Sequence, residues 1–126
     1  MKKNLKFIHL RAHSEYSLLE GALRLKKLPE MVSAMKMPAI AITDTNNMFC
    51  ALEFSEVASQ AGIQPIIGCQ VDLAYDPAAP GEKTRLPAPL VLLAQNERGY
   101  ENLLLLNSRL YLNSNGEVPQ VQTVSY

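Results

Sequence analysis

The side chains best suited to chemistry are concentrated near the start of the chain, in His9-Leu10-Arg11-Ala12-His13-Ser14-Glu15-Tyr16-Ser17-Leu18-Leu19-Glu20-Gly21. The stretch reads as a strand that ends in a polar elbow and then feeds a helix. Strand alternation puts His9, Arg11 and His13 on one face. Imidazoles and a guanidinium aimed one way, followed by hydroxyls and a carboxylate, are the groups of a metal or phosphate site. His9 and His13 do not serve one ion, because they lie about 13 Å apart along a strand and a metal sits at about 2 Å from each ligating nitrogen. Ser14, His13 and Asp44 do not form a nucleophilic triad, because adjacent residues on a strand point to opposite faces. No glycine-rich phosphate loop is present, so a nucleotide site is not indicated.

The elements that must hold these residues follow from the hydrophobic pattern. The chain has 126 residues, 48% hydrophobic and 19% charged, which suits one domain with a core. Twelve basic residues balance twelve acidic ones, so the composition carries no electrostatic footprint for nucleic acid or an anionic membrane. The mild excess of Lys and Arg in the first 36 positions reads as a solvated face. Cys50 and Cys69 lack CxxC spacing and are expected to be buried thiols of a reducing, cytoplasmic protein. Met-Lys-Lys-Asn leads into a strand rather than a secretory signal, and the apolar runs fall far short of a membrane span.

Phe7 to Ala12 is the expected first strand. Leu25, Leu28, Val32 and Met35 recur at helical spacing, with Pro29 placed in the first regular turn, where its missing N–H costs nothing. Met37-Pro38 ends that helix. Ala39 to Thr43 reads as a buried parallel strand, followed by the polar turn Asp44-Thr45-Asn46-Asn47, with Asp44 expected to cap the next helix or to pair with Arg11. The next helix is expected from about Met48 to Ala61, with Phe54, Val57, Ala58 and Ala61 inward and Gly62 at its C-terminus. Gln64 to Tyr75 is a third strand. The proline-bearing stretch from Asp76 to Pro89 is a loop, and Leu90 to Ala94 is a fourth strand, antiparallel to the third. Asn96 caps a last helix whose packing face carries Tyr100, Leu103, Leu104, Asn107, Leu110 and Tyr111. Residues 113–126 carry no helical period and are expected to fray or to continue elsewhere, so the domain is placed at 1–112. The order β-α-β-α-β-β-α argues an α/β fold, a layer or part of a barrel. Sites in such folds form at the carboxyl ends of the strands, which brings the opening stretch, Asp44 and Gln70 around one cleft.

Four blocks then carry a family resemblance: His9-Leu-Arg-Ala-His-Ser-Glu-Tyr-Ser-Leu-Leu-Glu-Gly-Ala22, Ala41-Ile-Thr-Asp-Thr-Asn-Asn-Met-Phe49, Pro65-Ile-Ile-Gly-Cys-Gln-Val71 and Leu90-Val-Leu-Leu-Ala-Gln-Asn-Glu-Arg-Gly-Tyr-Glu-Asn-Leu103. In order and spacing they resemble the PHP (polymerase and histidinol phosphatase) domains that open bacterial DNA polymerase III alpha subunits. The resemblance implies a partial, distorted β/α barrel, PHP-like, of which this chain supplies about half. It also implies a divalent cluster of zinc or manganese in active members, where metals activate water and clamp a leaving oxygen. Carried over residue by residue, the family's ligand positions fall on Arg11, His13, Glu20, Thr45 and Gln70. His13 and Glu20 keep ligating types. Arg11 is cationic and cannot ligate, Thr45 stands where a histidine is expected, and Gln70 replaces a glutamate. The resemblance thus implies a degenerate site with no metal of its own and no catalytic residue, in which Arg11 pairs with Glu20, Asp44 or both and replaces part of the lost positive charge.

For function, the resemblance implies DNA-directed DNA synthesis by a whole alpha subunit whose magnesium carboxylates lie in a different domain. This segment would then be a scaffold that supports the rest of the subunit and docks a proofreading exonuclease, meeting DNA only through the whole. The alternatives are an active metal-dependent phosphoesterase or pyrophosphatase, and a standalone adaptor. Half a barrel would also expose strand edges and favour self-association.

Overall fold

The computed structural model describes residues 6–17, 21–74, 87–112 and 123–125. Glu20, most of the proline-bearing loop after β2 and residues 113–122 lie outside the described residues. A 3₁₀ turn at Leu25–Lys27 runs into α1 (Leu28–Ala34), followed by β1 (Ala39–Ile42), α2 (Ala51–Gln60), β2 (Gln64–Ala74), β3 (Ala88–Leu93), α3 (Glu97–Leu112) and β4 (Thr123–Ser125). The architecture is the mixed α/β one expected.

β2 is the spine of the sheet. Its first half pairs in parallel with β1, from Ala39 opposite Gln64 to Ile42 opposite Ile67. Its second half pairs antiparallel with β3, from Gly68 opposite Leu93 to Leu73 opposite Ala88, as a hairpin requires. β4 runs parallel to Asp72–Ala74. A strand has two edges and β3 holds one of them there, so β4 takes the edge that β1 uses earlier. That pairing corrects the expectation of a frayed tail at residues 123–125, because the free backbone groups at the end of β2 offer a ladder that a Thr-Val-Ser run accepts.

The first expected strand is also corrected. Residues 9–12 lie beside β1, with Ala41 N donating to His9 O at 2.9 Å and Thr43 N to Ala12 O at 2.8 Å, yet they form no regular ladder. Three steps along one segment face two along the other, so one residue is extra, as in a bulge. The stretch stays extended, and the bulge re-aims its end.

The core gathers on one face of β1. Leu25, Leu28, Val32, Ile40, Ile42 and Phe54 are all buried there with Ala58 and Ile63. Met35, expected inward, is exposed. The reason lies in how α1 stops: Lys36 takes a left-handed φ of 54°, Lys36 N donates to Ser33 O and Met37 N to Val32 O. This is a Schellman stop, whose hydrophobic contact falls on the residue after the left-handed one, so Met37 is buried in place of Met35. Gly62 ends α2 in the same way at φ 72°, with Gly62 N to Ser59 O and Ile63 N to Ala58 O. α2 starts at Ala51 rather than Met48, and Ala61, past its last turn, is exposed.

Asn96 caps α3 as expected, its Oδ1 accepting Gly99 N at 2.9 Å. α3 buries Leu103 and Leu110 and covers Cys69 and Val71 of β2, together with Met48, Leu92 and Leu106. Leu104 and Tyr111 were expected on this face but are exposed, because a single sheet face is already filled by the i, i+3, i+7 row from Leu103 to Leu110.

Candidate functional site

Three segments meet beyond the carboxyl end of β1. The chain stays beside β2 after Ile42: Gln70 N donates to Asp44 O at 2.9 Å and Asn46 N to Gln70 O at 2.8 Å, which makes the isolated parallel bridge between Thr45 and Gln70. The 9–14 segment flanks β1 from its other side. Alternation along β2 sends Cys69 and Val71 into the α3 layer and Gln70 to the opposite face.

Gln70, 5% exposed, is the hub of that face. Its Oε1 accepts Arg11 Nε at 2.9 Å and stands 3.2 Å from His13 Nε2. Its Nε2 donates to Thr45 Oγ1 at 3.5 Å. The Arg11 Nε–H is a donor with no acceptor capacity, which fixes the amide with its oxygen toward Arg11. His13 Nε2 then bonds the same oxygen only as the protonated nitrogen of its ring. The structure therefore brings together Arg11, His13, Thr45 and Gln70, all of the expected site positions except Glu20, which lies outside the described residues. Arg11 and His13 also line an open cleft of about 410 Å³ with Ala12, Gly21, Ala22 and Leu23. His9 is not part of it; its ring packs edge-on to Phe7 at 4.7 Å.

Beneath this hub lies a second, fully buried cluster. Asp44 is 1% exposed. Its Oδ1 accepts Ser14 N at 2.7 Å and Ser17 Oγ at 2.7 Å, and its Oδ2 accepts Ser14 Oγ at 2.6 Å. The hydroxyls accept in turn: Ser14 Oγ from Tyr16 N at 3.2 Å and Ser17 Oγ from Thr45 N at 3.0 Å. The expected roles of Asp44, as helix cap or as Arg11's ion-pair partner, are corrected. α2 begins seven residues further on with no side-chain cap, and the serines occupy both carboxylate oxygens. Among the described residues Arg11 meets Gln70 instead. A buried carboxylate is stabilised by converging donors, and the elbow supplies them from one turn, closed by Ser17 N to Ser14 O at 3.0 Å.

The elbow itself depends on Gly21. It sits against the Ser14 carbonyl, where any Cβ would collide with backbone, and the close approach lets Glu15 N reach Leu23 O at 3.0 Å. Asn47 locks the other side, its Nδ2 donating to Tyr16 O at 3.2 Å and Thr45 O at 3.1 Å. Tyr111 of α3 closes the loop from above, donating its hydroxyl to Asn46 O at 2.7 Å, while Asn46 holds a left-handed φ of 54°. Ser17, Asn47 and Tyr111 were missed as site-shaping residues. The Ser14-x-x-Ser17 spacing in a polar elbow was a usable signal for the first. Tyr111 had none, being 65 residues distant from Asn46 in sequence.

Both cysteines border the Asp44 cluster. Burial first, then the Asp44 charge, pushes the Cys50 thiol up to about 12. Burial pushes Cys69 up to about 11. A thiol that stays protonated in the folded chain but ionises near 9 when unfolded costs stability as alkali is added. Stability is expected to be flat below pH 9 and to fall as the pH rises from about 9 toward 11, as the unfolded chain releases protons that the native one keeps. Urea unfolding at pH 8, 9 and 10 checks this, with Cys50→Ala and Cys69→Ala flattening the fall.

A family model for the PHP domain matches residues 9–125. The chain belongs to the PHP domain family. The PHP domain here is 46% identical over 114 residues to the DNA polymerase III subunit alpha of Caulobacter vibrioides, covering 90% of this chain and 10% of that one. It is 41% identical over 112 residues to the subunit of the same name from Helicobacter pylori, covering 89% and 9%, and 41% identical over 120 residues to that of Treponema pallidum, covering 93% and 10%. The chain thus spans about a tenth of the length of the curated relatives it matches. Among solved structures, an amidohydrolase from Chromobacterium violaceum with bound sulfate and no metal superposes with a TM-score of 0.56 at 21% identity, over 89% of this chain and 40% of that one. That likeness concerns the fold and agrees with a PHP-like β/α arrangement. No helix among the described residues is long and apolar enough to cross a membrane.

Proposed function

We propose that this PHP domain belongs to a replicative DNA polymerase III alpha subunit and serves it as a scaffold, with hydrogen bonds standing where a metal cluster stands in active members of the family. The observation that carries this reading is the Gln70 hub. An amide oxygen already engaged by Arg11 and facing His13 is a poor ligand, and a guanidinium repels a divalent cation from the same space. Among the described residues, which leave out Glu20, no group of three or more His, Cys, Asp or Glu side chains comes together, which supports a site that holds no zinc or manganese. The Arg11–Gln70–Thr45 connection ties the first segment, the β1 loop and β2 together.

In this reading the whole subunit carries out DNA-directed DNA synthesis in the cytoplasm, with magnesium held by its polymerase centre and DNA contacted elsewhere. The PHP domain supports that body and docks a proofreading exonuclease subunit. The test is hydrolysis of bis(p-nitrophenyl) phosphate and of pyrophosphate by the purified chain with added manganese. Rates indistinguishable from metal alone are expected. Chelator-sensitive turnover that disappears in His13→Ala would instead establish a metal-dependent phosphoesterase.

A further inference from the structure

The outward face of α3 carries exposed leucines. Leu105 is 54% and Leu112 79% exposed, with Leu104 on the adjoining flank. At 100° per residue, Arg98, Glu101, Leu105, Arg109 and Leu112 fall within roughly 80° of arc, one stripe along a helix about 24 Å long. All of them are exposed. Their order is complementary to its own reverse at the charged positions. Reversed about Leu105, Glu101 falls on Arg109, Leu105 on itself, and Arg98 on Leu112.

From this order we infer that α3 docks a second copy of the same chain, antiparallel, about a two-fold axis at Leu105. An isologous contact places each residue opposite its mirror position. The two-fold then brings Leu105 against Leu105 of the second copy, forms two Glu101–Arg109 pairs, and lays the aliphatic stem of each Arg98 over the opposing Leu112. The charge complementarity is internal to the stripe, so the face selects a copy of itself in one orientation and disfavours the parallel one, which sets Glu101 against Glu101 and Arg109 against Arg109. One helix pair is smaller than the interfaces of permanent dimers, which places this contact in the weak, concentration-dependent class. It rests on α3 alone and does not depend on the polymerase reading.

Sedimentation velocity of the purified chain over a concentration series from micromolar to millimolar tests the inference. A monomer–dimer equilibrium is expected, lost in Leu105→Lys/Leu112→Lys. Glu101→Arg alone and Arg109→Glu alone should each weaken dimerisation by about tenfold, by placing like charges opposite each other, and the double swap should restore it. Thermal melts of each variant check that α3 stays folded. A chain that remains monomeric at millimolar concentration overturns the inference and leaves the stripe to another segment or partner. A dimer indifferent to the leucine changes, or not rescued by the charge swap, overturns it equally.

Discussion

Asp44→Ala is expected to destabilise the chain by about 3–5 kcal/mol, the largest effect of any single polar substitution here. The carboxylate satisfies the Ser14 amide and the hydroxyls of Ser14 and Ser17, all in buried surroundings. Removing it strands those donors where water does not reach, and an unmade buried hydrogen bond costs about 1–3 kcal/mol. The loss propagates, because Ser17 Oγ also holds Thr45 N and Ser14 Oγ holds Tyr16 N. Thr45 is a corner of the Gln70 hub, so the elbow and the hub should loosen together. Urea unfolding gives the free energy, and hydrogen exchange at the Ser14 and Thr45 amides locates it. Exposed Glu56→Ala is the control, with an expected change within about 0.5 kcal/mol. A loss below about 1 kcal/mol for Asp44→Ala would mean that the cluster does not hold the elbow.

The second large effect is a gain. Arg11→His, Thr45→His and Gln70→Glu, made together, should raise affinity for zinc or manganese by at least about a hundredfold over the unaltered chain. The side chains at these positions already converge on one point: Arg11 and His13 reach the same amide oxygen, and Thr45 reaches the amide nitrogen. The replacements would put imidazoles and a carboxylate there, in line with His13, and remove the guanidinium charge. No backbone rearrangement is needed, because the bridge between Thr45 and Gln70 is made by the main chain. Isothermal titration calorimetry reads the gain without relying on activity. A triple variant that binds no tighter than the parent would show that more than these side chains has been lost.

Much of this architecture was legible in the sequence, and the parts that were not have identifiable causes. The Ala39–Ile42 run, Gly62 after α2 and Asn96 before α3 behave as their local chemistry dictates. Alternation and the rule that sites gather at strand ends bring Arg11, His13 and Gln70 to one cleft, whereas Thr45 was indicated by the family resemblance and His9, expected on the same face, packs against Phe7 instead. The misreadings arise where tertiary geometry overrides a local pattern. An extra residue against β1 denies 9–12 a regular ladder, and a left-handed lysine moves the inward position from Met35 to Met37. Asp44 looked like a cap because it precedes a helix, but the loop delays that helix to Ala51 and the serines of a sequence-distant elbow take the carboxylate. β4 returns to an open edge of β2, which no local signal announces.

If hydrogen bonds centred on Gln70 occupy the place of a metal cluster, the unaltered chain should not take up metal. Metal titration tests this on chain purified without chelator and then dialysed against zinc and against manganese, with metal content read by mass spectrometry. Far less than one ion per chain, unchanged by His13→Ala, is the expected result. One or more ions per chain, released when His13 or Gln70 is replaced by alanine, would contradict it.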